Sequence, residues 1–135
     1  MLGGGVESVV MNYYRHIDRS KVQFDFLVDA DSTRVPEEEI KALGGRVFRI
    51  PPYQHPLRYR KELVRLFHEE HWPIVHSHIN TLSVFPLSAA KKAGVPVRIA
   101  HSHSTMGKGE FAKNLMSLHC VRSRTFTLQN VRHCQ

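Results

Sequence analysis

Residues 74–103 read Ile74-Val75-His76-Ser77-His78-Ile79-Asn80-Thr81-Leu82-Ser83-Val84-Phe85-Pro86-Leu87-Ser88-Ala89-Ala90-Lys91-Lys92-Ala93-Gly94-Val95-Pro96-Val97-Arg98-Ile99-Ala100-His101-Ser102-His103. Two short β-branched runs, Ile74 to His78 and Val97 to His101, flank a longer stretch from Leu82 to Ala93. The first run follows Pro73 and is too short and too β-branched for a helix. The middle stretch reads as a helix, with Pro86 as an alternative start and Gly94 as its cap. Nothing between the two runs signals a hairpin, so they read as parallel strands joined by a crossover helix.

Outward from this unit the alternation continues. Leu57 to His71 places Leu63, Val64 and Phe67 on one helical face, after the loop Pro51-Pro52-Tyr53-Gln54-His55-Pro56. Arg46 to Ile50 is a short strand. It is preceded by a helix that opens with Pro36 and three glutamates and stops at Gly44-Gly45. Val22 to Val28 alternates Val22, Phe24, Phe26 and Val28 against Gln23 and Asp25, a strand pattern. Val6 to Ile17 carries Val6, Val9, Val10, Tyr13, Tyr14 and Ile17 at helical intervals, and Glu110 to Met116 begins a further helix. The order α-β-α-β-α-β-α-β-α implies an α/β, Rossmann-like, doubly wound parallel sheet. Its first helix is preceded only by Gly3-Gly4-Gly5, so the sheet reads as incomplete, with the first strand missing.

The 135 residues allow one domain, and 41% hydrophobic with 23% charged residues is a globular mixture. No run approaches the ~18–20 apolar residues that span a bilayer. Met1-Leu2-Gly3-Gly4-Gly5 has no charged or apolar segment of a secretory signal. Cys120 and Cys134 form neither a disulfide framework nor a zinc spacing, so a reducing, cytoplasmic setting is expected. The net charge of +7 is uneven: residues 1–116 carry sixteen basic and all twelve acidic groups, whereas 117–135 add Arg122, Arg124 and Arg132 with no acid. The basic excess is therefore weak evidence for nucleic acid, which also needs interleaved aromatics or a recognised motif.

Three features can carry chemistry. Gly4 and Gly5 open the first helix, where backbone amides attract phosphate or carboxylate, although the spacing matches neither a dinucleotide fingerprint nor a P-loop. His76-Ser77-His78 and His101-Ser102-His103 each end a predicted strand, with both imidazoles of a pair on one side of the sheet. Ligands of open α/β sheets bind beyond the strand carboxyl ends, so His78 and His103 point to the expected crevice as base, proton donor or phosphate contact. The plainer reading is hydrogen-bonded strand-end histidines without chemistry. A metal is not expected, because no Asp or Glu lies across 71–109. Arg58, Arg60, Lys61 and Arg65 beside Tyr59 could rest on anionic lipid, at ~1 kcal/mol per charge near the surface. Glu62, Glu69 and Glu70 offset much of that charge and tilt the choice towards a solvated face.

Taken together, Gly4-Gly5-Val6-Glu7, Phe24-Asp25-Phe26-Leu27-Val28, Ile74 to Asn80 and Ala93 to Ser104 resemble the N-terminal half of family 4 GT-B glycosyltransferases. The nearest likeness is to bacterial enzymes of capsular polysaccharide or exopolysaccharide assembly, over about residues 3–116. The resemblance implies an acceptor-binding domain facing a cleft, a second domain that binds a nucleotide sugar, and transfer without metal or other cofactor. It assigns Gly4 and Gly5 to the loop near the donor phosphates and acceptor, and His78 and Asn80 to the acceptor side. The family's cleft histidine falls on His101 or His103; the doubled motif leaves the register open, and His103, further beyond the strand, is favoured.

The implied partners are a glycan or lipid-linked acceptor and the inner face of the cell membrane as a peripheral contact. The donor half, with the family's Glu-x7-Glu motif, does not follow Met116. Residues 117–135 contain no Asp, Glu, Lys, Ala, Gly, Ile or Pro and do not resemble the family, which suggests an out-of-frame extension. Translating the other frames beyond Met116 tests that origin. The expectation is thus a partial acceptor domain (1–116) with an unrelated tail (117–135), inactive by itself. The rivals are a metal-dependent hydrolase built on the His-x-His pairs and a non-catalytic basic binding module.

Overall fold

A computed structural model describes residues 5–101 and 130–133. In chain order its elements are α1 (Gly5–His16), β1 (Val22–Asp29), α2 (Glu37–Ala42), β2 (Arg46–Ile50), α3 (Pro56–Glu70), β3 (Ile74–Ser77), a 3-10 turn (Asn80–Ser83), α4 (Val84–Lys92), β4 (Val97–Ala100) and β5 (Asn130–His133). The helix expected over Glu110 to Met116 lies outside the described residues. The alternation of helix and strand follows the sequence pattern closely. One difference is local: the crossover begins as the 3-10 turn and becomes α-helical at Val84, two residues before Pro86. Proline is accommodated there because the first helical turn does not need its missing N–H.

Five strands form one sheet in the order β2-β1-β5-β3-β4. β1 pairs with β2, and β3 with β4, in parallel. These pairs are the parallel, helix-covered α/β arrangement expected from the alternation; β5, which no sequence pattern marked, is added at the centre. β5 runs antiparallel there, with Val22 opposite His133, Phe24 opposite Val131, and Ile74 also opposite Val131. β5 comes from the segment set apart as a tail, so these residues share the sheet of the body. The physical reason is the geometry of the two parallel pairs. β1 and β3 present facing edges of unpaired backbone groups, which an extended segment that reaches them completes.

Helices cover both faces. On one, Val10, Met11 and Tyr14 of α1 and Ile40 of α2 pack on Phe24 and Phe26. On the other, Leu63, Leu66 and Phe67 of α3 and Leu87, Ala89 and Ala90 of α4 pack with Trp72, Val75 and Ile50. The buried stripe of α1 is thus narrower than its apolar periodicity: Val9 and Tyr13 face solvent, 42% and 66% exposed. Gln23 and Asp25, the polar positions of the β1 alternation, are buried as well.

Both buried polar side chains of β1 are bonded. Gln23 accepts from the Tyr14 hydroxyl at 2.6 Å and donates to the Leu43 carbonyl at 3.0 Å. Asp25 meets Arg46, its register partner on β2, at 2.7 Å and accepts from the Trp72 indole N–H at 2.8 Å. Arg46 also pairs with Glu70 at 2.5 Å, so one guanidinium ties β1, β2 and the end of α3. The turn before β2 is set by glycine. Gly44 has φ +86°, and a Cβ on Gly45 would lie 2.6 Å from the Tyr14 hydroxyl and 2.9 Å from the Phe24 carbonyl oxygen.

Candidate functional site

A cavity of about 350 Å³ opens between the carboxyl-terminal halves of β1 and β3. Its position follows from the sheet. β5 pairs with Val22–Asp25 of β1 and with Ile74 alone of β3. The strands therefore diverge from a common neighbour just where Phe26–Asp29 and Val75–Ser77 line the cavity. Val6, Glu7 and Val10 wall it from the α1 side, and Tyr59, Leu63 and Phe67 from the α3 side. Such a mostly apolar cavity with a few polar groups at the strand carboxyl ends is the usual ligand position of a doubly wound sheet.

The polar groups come mainly from the first His-x-His pair. His76 lies on β3, His78 just beyond it, and both line the cavity. Their rings stack at 3.6 Å between centroids, inclined by 26°. His101 continues β4: its backbone N–H donates to the Ser77 carbonyl at 2.8 Å. That bond brings the His101 ring to 5.1 Å from His78 and 5.6 Å from His76. The Ser77 hydroxyl donates to the Ser83 hydroxyl at 2.9 Å in a buried contact, which pins the end of β3 to the 3-10 turn. Three imidazoles from two adjacent parallel strands thus meet at the sheet's carboxyl end.

The other sequence candidates distribute differently. Gly5 begins α1, and a Cβ there would meet nothing within 4 Å, so packing does not demand a glycine. Its neighbours Val6 and Glu7 reach the cavity wall. Asn80 opens the 3-10 turn with φ 51°, is exposed, and is not among the residues that line the cavity. Gly4 and His103 lie outside the described residues, so the choice between His101 and His103 is not decided by geometry.

Several wall residues were not singled out in the sequence. Glu7 presents a buried Oε2 with no hydrogen-bond partner among the described residues. Asp29 ends β1 on the cavity, and burial, reinforced by nearby Asp31, raises its carboxyl pKa. Burial, and the charge of Asp29, likewise push the Tyr59 phenol up. The strand-end rule that located His78 would also have located Asp29; Tyr59 carried no such signal.

The fold and cavity define the class: a helix-covered α/β domain that takes a ligand at the carboxyl ends of its strands. The chain belongs to the family described as "Glycosyl transferase 4-like domain", which matches residues 4–133, a range that extends past Met116 and includes β5. It is 45% identical over 112 residues to the protein described as "Putative glycosyltransferase EpsF" of Bacillus subtilis (strain 168), across 80% of this chain and 29% of that protein. The chain spans under a third of that relative's length. No solved structure matches the chain.

Proposed function

We propose that this chain is the acceptor-binding part of a glycosyltransferase that moves a hexosyl group from a nucleotide-sugar donor to a glycan or lipid-linked acceptor in capsular or exopolysaccharide assembly. The observation that carries the reading is the cavity at the strand carboxyl ends, bounded by the start of α1 and by His78, in a chain of this family. Family membership supports transfer of a sugar, and the cavity's apolar walls with polar groups at one end suit a sugar ring and an attached apolar chain. In this reading residues 1–116 supply the acceptor side and 117–135 lie apart from it in origin.

His101 or His103 faces the transferred sugar, His78 lies on the acceptor side with Asn80 at its margin, and Gly4 and Gly5 leave backbone amides free for an anionic group. An imidazole there can relieve the acceptor hydroxyl of its proton as that oxygen bonds to the sugar's anomeric carbon and the nucleotide phosphate leaves. No metal enters this step.

The start of α3 suits contact with a membrane surface on the cytoplasmic side. Leu57 is 85% exposed, Tyr53 is exposed, and Arg58, Arg60 and Lys61 stand beside them. Arg65 by contrast is engaged by Glu62 and Glu69. Among the described residues no helix is long and apolar enough to cross a membrane.

This reading expects no sugar transfer by the chain alone. Incubating the purified chain with nucleotide sugars and polyprenyl-linked glycan tests both halves of the reading. Glycan binding without transfer is the expected result. Transfer by the chain alone would overturn the inactivity, and failure to bind any glycan would overturn the acceptor role.

A further inference from the structure

The cluster of His76, His78 and His101 has a second property, independent of glycosyl transfer. One nitrogen from each ring can be chosen so that all three lie within 4.8 Å of one another. A tetrahedral zinc site with metal–nitrogen bonds of about 2.0–2.1 Å holds its nitrogens about 3.3 Å apart. The three atoms must therefore close by at most about 1.5 Å, a displacement that side-chain rotation supplies without moving the strands. The backbone beneath them is already fixed by the parallel register of β3 with β4, by the His101 N–H to Ser77 bond and by the buried Ser77–Ser83 contact.

The cavity wall adds an anionic group. Glu7 lines the same cavity, with its buried Oε2 lacking a hydrogen-bond partner among the described residues. Asp25 and Asp29 line it too, and a cavity whose ionisable groups are carboxylates and imidazoles favours a cation over an anion.

We propose that His76, His78 and His101 form a binding site for a single divalent transition-metal ion of the zinc class. Three imidazole nitrogens hold the ion and leave its remaining position to water or a ligand. The donor set selects zinc, cobalt, nickel or copper and rejects magnesium and calcium, which demand oxygen ligands. The site shares His78, and His101 as one candidate for the cleft histidine, with the transfer chemistry proposed above, which itself uses no metal. Because His78 serves both, an ion held there competes with the acceptor.

The test uses the full chain with Cys120→Ser and Cys134→Ser, since thiolates also bind zinc. Titration with zinc alone, followed by calorimetry, and with cobalt alone, followed by visible absorption, reads stoichiometry and geometry. The expected result is one ion per chain, an intense four-coordinate cobalt spectrum, and no displacement by excess magnesium. H78A and H101A, checked for native circular dichroism, should each weaken zinc at least about tenfold, while H55A, at a residue that does not line the cavity, leaves it unchanged. Absence of stoichiometric zinc, a six-coordinate cobalt spectrum, or equal affinity in H101A and H55A would overturn the proposal. His101 sits just past the end of β4, so H101A keeps the test decisive even if H78A does not fold.

Discussion

At the residue scale, Asp25 and Arg46 show how unequal the two ends of one ion pair can be. The Asp25 side chain is fully buried, whereas Arg46 is 41% exposed and has Glu70 as a second partner. Hydrogen bonding to Asp25 first, and then to Glu70, raises the Arg46 pKa against the cost of burial. Removing Arg46 takes the cationic partner from a buried carboxylate that also accepts from the Trp72 indole, while Asp25→Asn leaves Arg46 free to turn to Glu70 and water. Arg46→Ala should therefore cost about 2–3 kcal/mol and Asp25→Asn about 1 kcal/mol, read from urea unfolding midpoints at constant slope. Equal losses would show that the pair acts symmetrically.

Asp29 gives a pH dependence of opposite sign to that of the surface carboxylates. Its pKa is raised in the fold, so between the unfolded and folded values the native state binds more protons, and stability falls as pH rises through that window. Glu37, Glu39 and Glu62 have lowered values, chiefly through hydrogen bonds from Arg49, Arg15 and Arg65 respectively. Their contribution is present above the unfolded carboxylate range and is lost on acidification. Asp29→Asn should remove the falling component alone, so thermal midpoints of the variant gain on the parent as pH rises from 4 towards neutrality. A constant offset across that range would show that Asp29 does not titrate in this window.

At the element scale, the Gly44–Gly45 turn joins α2 to β2 through conformation and space together. Gly45→Ala forces a methyl against the Tyr14 hydroxyl, the Ile40 side chain and the Phe24 carbonyl, of which the last is backbone and cannot yield. A loss of about 1–3 kcal/mol is expected. Gly94→Ala, at φ +79° but with nothing within 4 Å, should cost only the backbone strain, about 1 kcal/mol. Parallel thermal melts of the two variants check the order.

The elements themselves were legible because their signals are local. Pro36 with three glutamates, Gly44-Gly45, Pro73 and Gly94 mark the ends of α2, β2, β3 and α4 almost to the residue. Two things were not legible. In the strand alternation Gln23 and Asp25 stand as the polar positions, whereas both are buried against partners twenty or more residues distant, Leu43, Arg46 and Trp72, whose proximity is a tertiary fact. The place of β5 was equally hidden. Asn130–His133 carries no strong strand pattern and is held by the edges it meets rather than by its own sequence. At the site, the strand-end rule located His76, His78 and His101, but the stacking of three rings depends on the β3–β4 register, which no sequence motif states.

At the scale of the whole molecule, β5 is the seam between two parallel pairs. Its pairing with Val22–Asp25 and Ile74 covers part of two inner strands. Deleting residues 117–135 uncovers that backbone beside Phe24 and Val131's former seat, so the shortened chain should lose cooperativity and aggregate at lower temperature than the parent. Light scattering during a thermal ramp reads the difference, and an unchanged onset would mean that β5 adds nothing to the sheet.

The same whole-molecule view makes the cavity the centre of the functional account. It is bounded by both layers of helices and by β1 and β3, the two strands that β5 joins in the sheet. In the proposed function this domain recognises the acceptor. The most direct measurement is ligand-observed NMR on the purified chain with a capsular-type oligosaccharide and a nucleotide sugar offered together, repeated with His78→Ala. The account predicts saturation transfer to the oligosaccharide alone, lost in the variant; transfer to the nucleotide sugar, with none to the oligosaccharide, would contradict it.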